Sequence, residues 1–478
     1  MNSGLTAWRL LALGATALLT ACSLAPKYEV PTVQPVETYK EAGEWMPAKP
    51  ADTDPRGPWW AAFGDAKLNE LQQQLHDGSQ DLRAAVARFE QARAIARQAH
   101  SDLFPSLGSG ADARRLRSSA NAPGSTGVVA TGSDLLVSAD LSWEIDLFGR
   151  LRNASAAARD RAQASAADLA GVELALRAEL ANDYFALRGS DAILRLLDDS
   201  VGAFDRAYDL TRNRYQGGIA AATDVDQAET QRQNARAQQA EVRLQRAQLE
   251  HAIAVLLGQP PAHFSLEPAP FIGDPPPFDA GLPSTLLQRR PDVASAERAV
   301  AAANAEIGVA RAAWFPVFTF GGSAGYEAGT TSALFDAPSR FWSAGPSVAL
   351  PLLDAGGRSA LNRQARAAYE ETVADYRKAA LNAYQEVEDN LAALRHLAQE
   401  VSADEAAAAS AQRSAYHADR RYAAGVADYL EVTSTQTASL QAQRSALEAR
   451  VRRMNAAVGL VRAMGGGWTR DQLDRPAL

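Results

Sequence analysis

Two short stretches of the chain alternate strictly between apolar and polar positions. The first runs from Leu135 to Ile145 and the second from Trp342 to Leu350, with an apolar residue at almost every second position. Alternation with a period of two predicts β-strands that have one apolar and one polar face. A soluble β-sandwich and a membrane β-barrel both contain such strands, so the pattern alone favours neither.

Much longer stretches lack this alternation and predict helices. Residues 151–215 contain no proline, and residues 358–424 contain neither proline nor glycine. About 65 helical residues span about 100 Å. Abundant alanine and scarce leucine seams favour close packing into a cylinder over a plain coiled-coil dimer. Further helices are predicted at 82–100 and 293–313, each ending near a Phe-Pro pair, and at 224–257 and 428–463.

The order of these elements occurs twice along the chain. Residues 75–107 align without a gap with residues 286–318, and residues 214–219 align with residues 421–426, about 210 residues apart in both cases. Each repeat has a helix, two strands around a loop (118–133 or 327–340), and a long helix pair. The predicted segments are a signal peptide (1–21), an N-terminal lipidated segment (22–66), a first repeat (67–273) and a second repeat (274–478).

The N-terminus has the pattern of a bacterial lipoprotein signal. Arg9 precedes an apolar stretch, which ends in Leu19-Thr20-Ala21-Cys22. This resembles a lipobox, which predicts cleavage before Cys22 and its acylation with diacylglycerol and an N-linked palmitate. Cys22 is the only cysteine of the chain, so it has no disulfide partner within it. An ordinary signal peptide that happens to contain a cysteine is the alternative.

Composition narrows the classes of function. The net charge of −8 argues against nucleic acid as a partner. The six histidines form no pair with metal-binding spacing, and no glycine-rich phosphate loop follows a strand. We therefore predict no catalytic residue, no metal site and no cofactor other than the covalent lipid.

A lipid anchor changes the interpretation of the alternating strands, because apolar-out and polar-in is the pattern of a membrane barrel. Four strands per chain cannot enclose a water-filled channel, whereas three chains supply twelve and seal each other's open edges. The expected fold class is mainly α with a membrane β-barrel portion. It consists of a long α-helical barrel and a twelve-stranded trimeric β-barrel, with internal duplication.

Several motifs carry a resemblance to a known family. They are Cys22-Ser23-Leu24-Ala25-Pro26, Trp59-Trp60 with Phe63-Gly64-Asp65, Trp143-Glu144-Ile145-Asp146-Leu147-Phe148-Gly149-Arg150, Leu287-Gln288-Arg289-Arg290-Pro291-Asp292-Val293, Phe315-Pro316 and Pro351-Leu352-Leu353-Asp354. Together they resemble the TolC-type outer-membrane factors, in particular the lipidated OprM/NodT-like branch that serves multidrug efflux.

The resemblance implies a passive, homotrimeric exit duct in the outer membrane of a Gram-negative bacterium, extending into the periplasm. It also implies two protein partners, a periplasmic adaptor and an inner-membrane pump of the resistance-nodulation-division type, which supplies the energy. Two alternatives remain at this point: an exit duct for type I protein secretion, and a lipid-anchored structural coiled coil. The coiled coil leaves residues 103–145 and 314–350 unexplained.

The resemblance places a pore constriction and gate at the periplasmic ends of the long helices. Gly218 and Gly425 suit the left-handed position that closes a helix there. Asp224 follows Thr223 where an N-cap would stand, so helix capping is an equally good interpretation of that residue. The expected constriction ring is Asp224, Asp226, Asp428 and Glu431, and the expected links between neighbouring helices are Arg214, Tyr215, Arg421 and Tyr422.

A ring of carboxylates around one axis favours cations over anions. The chain carries Thr433 and Ser434 where relatives often have another aspartate, which implies a thinner ring. Two other groups are expected to be structural. The Arg289-Arg290 pair precedes a helix start at Pro291-Asp292, and the Trp59-Trp60 pair with Phe63 is expected to pack the N-terminal segment against the helices.

Overall fold

The computed structural model describes residues 23–34, 36–42, 58–121, 129, 131–271, 273–276 and 283–473. Cys22, the signal peptide and half of the loop predicted at 118–133 lie outside these ranges. The described residues form two compact units, and each unit draws on both halves of the chain. Of the described residues, those within 1–32, 89–165 and 295–377 form the first unit, and those within 33–88, 166–294 and 378–478 form the second. The repeat boundaries given above stay a prediction.

The described elements follow the same order in both halves of the chain. The first half has α1 (Ala66–Gly78), α2 (Gln80–Ser101), β1 (Ser106–Arg117), β2 (Thr131–Ile145), α3 (Arg150–Gln216) and α4 (Ala222–Leu256). The second half has α5 (Pro283–Arg289), α6 (Pro291–Ala312), β3 (Val317–Ala328), β4 (Arg340–Ala349), α7 (Gly357–Ala423) and α8 (Tyr429–Ala463). Both α3 and α7 have 67 residues, and both α4 and α8 have 35. The predicted long helices and strands are confirmed, with ends shifted by a few residues.

The four strands form one antiparallel sheet in the order β1-β2-β3-β4. Leu141 on β2 pairs with Leu107 on β1, and Trp342 on β4 pairs with Ala324 on β3. Directly paired residues share a face of the sheet, so most of the apolar side chains of the four strands lie on one side. This apolar side is open in the single chain, where Leu107 is 74% and Trp342 is 80% exposed.

The opposite side of the sheet is polar. Asp140 accepts hydrogen bonds from the hydroxyls of Ser138 at 2.8 Å and Ser323 at 2.7 Å. The sheet is also tightly paired, because a Cβ atom at Gly325 would lie 2.0 Å from the carbonyl oxygen of Val137. None of the described helices has both the length and the apolar character that a bilayer-spanning helix needs.

Small residues set the spacing between helices in both units. In the first unit, Ala157 of α3 packs with Ala302 and Ala305 of α6, and all three are buried. In the second unit, a Cβ atom at Gly189 of α3 would lie 2.4 Å from a methyl group of Val451 on α8. Such close backbone approach agrees with the sideways packing that the alanine content predicts.

The residues after Cys22 form an extended strap, residues 23–32, along the helices of the first unit. The Ser23 hydroxyl donates to Oδ1 of Asn153, near the start of α3, at 2.8 Å. The side chains of the helices mostly hold the strap by its backbone carbonyls. These bonds run from Arg311 to Leu24 (3.0 Å), from Asn304 to Pro26 (2.9 Å) and from Arg377 to Thr32 (3.4 Å). The strap therefore begins next to the helix that directly follows β2.

Candidate functional site

Both long helices end in the same turn. Gly218 follows α3 with φ 73° and Gly425 follows α7 with φ 76°, a left-handed conformation that favours glycine. The Val426 amide donates to the Arg421 carbonyl at 3.0 Å, and the equivalent bond closes the first turn. This is the Schellman arrangement, which satisfies the last carbonyls of a helix. The prediction that these glycines close the helices is confirmed.

Arg214 joins the two turns within the second unit. Its guanidinium donates to the carbonyl oxygens of Tyr422 at 3.1 Å and Ala423 at 3.2 Å. The guanidinium carbon also lies 4.5 Å from the centre of the Tyr422 ring, which is cation–π distance. Tyr422 is only 6% exposed, and its hydroxyl lies 3.3 Å from Oγ1 of the buried Thr211. The ends of α3 and α7 are thus held together by hydrogen bonds and by ring stacking.

A small apolar core supports this contact. Tyr429, the first residue of α8, meets the Tyr422 ring edge-on with 5.4 Å between ring centres. Val432 of α8 and Ala228 of α4 complete the core, and both are almost fully buried. Burial raises the pKa of the Tyr429 phenol, so this hydroxyl stays neutral at physiological pH.

The second acidic pair has two distinct roles. Asp428 is the N-cap of α8, where its carboxylate accepts from the Glu431 amide at 2.9 Å. The Glu431 carboxylate in turn lies 2.6 Å from the Arg421 guanidinium. The side chains of Arg421 and Glu431 are 56% and 35% exposed, so water screens this ion pair and it adds at most about 1 kcal/mol of stability.

The expectation that Asp224 is the N-cap of α4 is wrong. Helix α4 begins at Ala222, and Ala221 occupies the N-cap with an extended backbone (φ −83°, ψ 156°). Asp224 is therefore the third residue of the helix rather than its N-cap. Its carboxylate still accepts from the Ala221 amide at 3.3 Å, so it caps the helix from inside.

The structure does not bring all eight expected gate residues together. Within the described ranges, the side chains of Tyr215 and Asp226 have no partner, and Tyr215 is 49% exposed. Sequence reasoning also missed two contributors, Thr211 and Tyr429. Thr211 could have been found because it lies one helical turn before Arg214 on the same face. Tyr429 directly follows an acidic residue that was already a candidate.

The other two expected groups have structural roles. Arg290 is 6% exposed and donates to the carboxylate of Glu386 at 2.7 Å, and both its Nε and its Nη2 bond Asp292. Phe63 lies in a short 3₁₀ turn, and its ring centre is 5.0 Å from that of Phe185 on α3. No group of metal-ligating side chains suited to an ion occurs among the residues that the structure describes.

Comparison with known proteins gives consistent matches over most of the chain. The family model described as "Outer membrane efflux protein" matches residues 71–259 and 282–466. The probable efflux pump outer membrane protein TtgC of Pseudomonas putida is 32% identical over 465 residues, covering 96% of each protein. The pyoverdine export outer membrane protein OpmQ of Pseudomonas aeruginosa is 34% identical over 475 residues, covering 96% of this chain and 97% of OpmQ.

A solved structure also matches nearly the whole chain. The open state of the MtrE outer membrane channel of Neisseria gonorrhoeae superposes with a TM-score of 0.79 and 27% identity. The match covers 94% of this chain and 99% of MtrE. The fold of this chain is therefore that of a TolC-type channel subunit.

Proposed function

Because this chain belongs to the outer membrane efflux protein family, we propose that three copies of it close a single channel. The chain is an exit duct of an efflux system in the outer membrane of a Gram-negative bacterium, and it works with the other components of an efflux pump. Members of this family are passive channels, so the chain is not an enzyme.

The observation that best supports a trimer is that the outer strands of the sheet have unpaired edges. Among the described strands, β1 pairs only with β2 and β4 pairs only with β3, so both outer strands keep an unpaired edge. Pairing β4 of one protomer with β1 of the next removes every edge. Three sheets then give twelve strands, within the range of known membrane barrels. The exposed apolar side, with Leu107 and Trp342, faces lipid in this arrangement, and the side with Asp140 lines the channel.

The strap supports a lipid anchor at Cys22. Ser23, the next residue, bonds Asn153 only eight residues after the end of β2. Diacylglycerol and an N-linked palmitate on Cys22 would therefore enter the same membrane as the sheet. Several acyl chains together give stable anchoring.

The efflux assignment also indicates which proteins the duct binds and which molecules it carries. We expect a periplasmic adaptor and a resistance-nodulation-division pump in the inner membrane, with all energy supplied by the pump. The names of TtgC and OpmQ refer to efflux and to pyoverdine export, which supports small molecules as cargo. These names speak against secreted proteins as the main cargo.

The helix ends form the gate of this duct. The Arg214–Tyr422 contact holds two turns together within each protomer, and Asp428 with Glu431 contributes carboxylates near the same place. Asp224 and Asp226 of α4 complete the proposed ring. An adaptor opens the gate only if it binds the open form more tightly than the closed form.

Purified full-length protein tests this function directly. Electron microscopy of the detergent-solubilised protein should show a threefold tube roughly 130–140 Å long, from about 100 Å of helix plus the strands. Reconstituted protein should conduct ions in a planar bilayer. In cells that lack their own efflux duct, expression with a cognate adaptor and pump should restore resistance to small toxic molecules. A compact monomer without conductance would overturn the proposal.

A further inference from the structure

A cavity of about 460 Å³ lies between the end of α6 and the start of α7, in the first unit. It adjoins the strap at Leu24 and is lined by cationic side chains of the two helices and by aromatic side chains of the turn after α6. The residues that carry the argument are Leu24, Arg311, Trp314, Phe315, Arg363 and Arg366.

The cationic groups of this cavity have no anionic partner among the residues that the structure describes. Arg363 and Arg366 are one turn apart on α7, and within the described part of the chain neither makes an ion pair or a hydrogen bond. Arg311 donates to the Leu24 carbonyl at 3.0 Å, which leaves its charge uncompensated. The nearby Arg358 differs, because Asp354 binds it at 2.7 Å. Like charges one turn apart repel, so an anion between Arg363 and Arg366 would stabilise this arrangement.

Apolar side chains lie exposed beside these arginines. Trp314 is 49% and Phe315 is 37% exposed at the end of α6, just before β3. Leu352 and Leu353, between β4 and α7, are 86% and 92% exposed. Tryptophan is typical of membrane–water interfaces, where one side of its ring meets hydrocarbon. Cationic groups next to exposed apolar groups match the two parts of a phospholipid, whereas a free phosphate would use only the arginines.

We propose that this cavity binds the headgroup of an anionic phospholipid, with the phosphate against Arg363 and Arg366 and the acyl chains alongside Trp314. The proposal rests on the proposed function, which places the sheet in the outer membrane. Leu24 borders the cavity and is two residues from the predicted lipidation site Cys22, at most about 7 Å along the chain. The cavity thus lies at headgroup level, and a bound lipid covers it there.

The test measures phospholipid retained by full-length protein. The purified protein is stripped with detergent, incubated with mixed micelles of phosphatidylglycerol or phosphatidylcholine, and examined by native mass spectrometry. We expect phosphatidylglycerol to bind in preference to phosphatidylcholine. The double variant R363Q/R366Q should bind it roughly thirtyfold more weakly, from about fivefold per arginine near a membrane surface.

Matched controls separate the possible outcomes. R413Q/R420Q removes the same charge from exposed positions at the far end of α7 and should bind like the unchanged protein. Equal binding of both lipids, or no loss in R363Q/R366Q, would overturn the proposal. Displacement of phosphatidylglycerol by millimolar inorganic phosphate would identify a free-anion site instead and would also overturn it. Single-channel conductance is measured on the same samples, because a conducting R363Q/R366Q trimer leaves the duct function intact whatever the lipid result.

Discussion

The guanidinium of Arg214 covers the ring of Tyr422 and donates to the carbonyl oxygens of Tyr422 and Ala423. One side chain of the first repeat therefore holds the last turn of α7, which belongs to the second repeat. Two bonds go to the main chain, so the link depends on Arg214 more than on the identity of residue 423.

Removing this link should favour the open gate. R214A deletes two charge-assisted hydrogen bonds and a cation–π contact, together about 2 kcal/mol per protomer after allowance for partial exposure. We expect a higher single-channel conductance in planar bilayers. Y422F is the matched control, because it keeps the ring and both main-chain carbonyls and should conduct nearly as the unchanged protein does.

The double variant R421A/Y422A should also raise the conductance, since it removes the stacked ring and the Arg421–Glu431 pair, although it keeps the two main-chain bonds of Arg214. If neither R214A nor R421A/Y422A changes the conductance, these residues do not form the gate.

Internal duplication predicts a second link, between protomers. Arg421 is the equivalent of Arg214, and Tyr215 is the equivalent of Tyr422. Three protomers would present six such turns in a ring, so Arg421 should lie over Tyr215 of the neighbouring protomer. The 49% exposure of Tyr215 in the single chain fits a partner that a second chain supplies.

Chemical cross-linking checks this expectation. An arginine and the ring it covers have Cβ atoms too far apart for a disulfide, so a thiol-specific linker of about 10 Å is the suitable probe. Y215C/R421C should give covalent dimers and trimers on denaturing gels. Y215C/R413C moves one thiol about 12 Å along α7 and should give far less product. Equal yields from the two pairs would contradict the link.

Charge and capping can be separated at Asp428. Asparagine caps a helix about as well as aspartate, so D428N should keep the start of α8 while removing one carboxylate per protomer. We expect lower cation selectivity, seen as a reversal potential closer to zero in a salt gradient. D336N removes a charge from the loop between β3 and β4 and should leave the reversal potential unchanged. An unchanged value in D428N itself would exclude this residue from the constriction.

The raised pKa of Asp183 predicts that the stability of the folded protein depends on pH. Burial, and then the charge of Glu179, raise the pKa of this carboxyl from 3.8 to about 6. The folded protein therefore binds more protons than the unfolded chain between about pH 4 and 6, and its stability rises as the pH falls through that window. At pH 8 the ionised carboxylate is unfavourable in its half-buried position.

The variant D183N should accordingly unfold at a higher temperature than the unchanged protein at pH 8. The difference should shrink at pH 5, where the original carboxyl is mostly protonated. Thermal unfolding followed by circular dichroism at both pH values measures this difference in unfolding temperature. D404N, another aspartate of the helices, is the control, and an equal shift in both variants would contradict the assignment to Asp183.

Local patterns predicted the elements better than the contacts between them. The alternation around Trp342 and the proline-free run from 358 indicated a strand and a helix because those patterns reflect the geometry of single elements. The N-cap of α4 was predicted at Asp224 but lies at Ala221, because alanine has no side-chain acceptor and so leaves no capping signal in the sequence. The repeat showed that Arg214 and Arg421 are equivalent. It could not show that Arg214 reaches Tyr422, 208 residues away.

The way the strap is held has a consequence for its evolution. Arg311, Asn304 and Arg377 bind the backbone carbonyls of Leu24, Pro26 and Thr32 rather than their side chains. Substitutions at Leu24, Pro26 and Thr32 can therefore accumulate without changing the path of the strap, provided that the three donors on the helices persist, whereas Ser23 and Tyr28 are held by their own side chains.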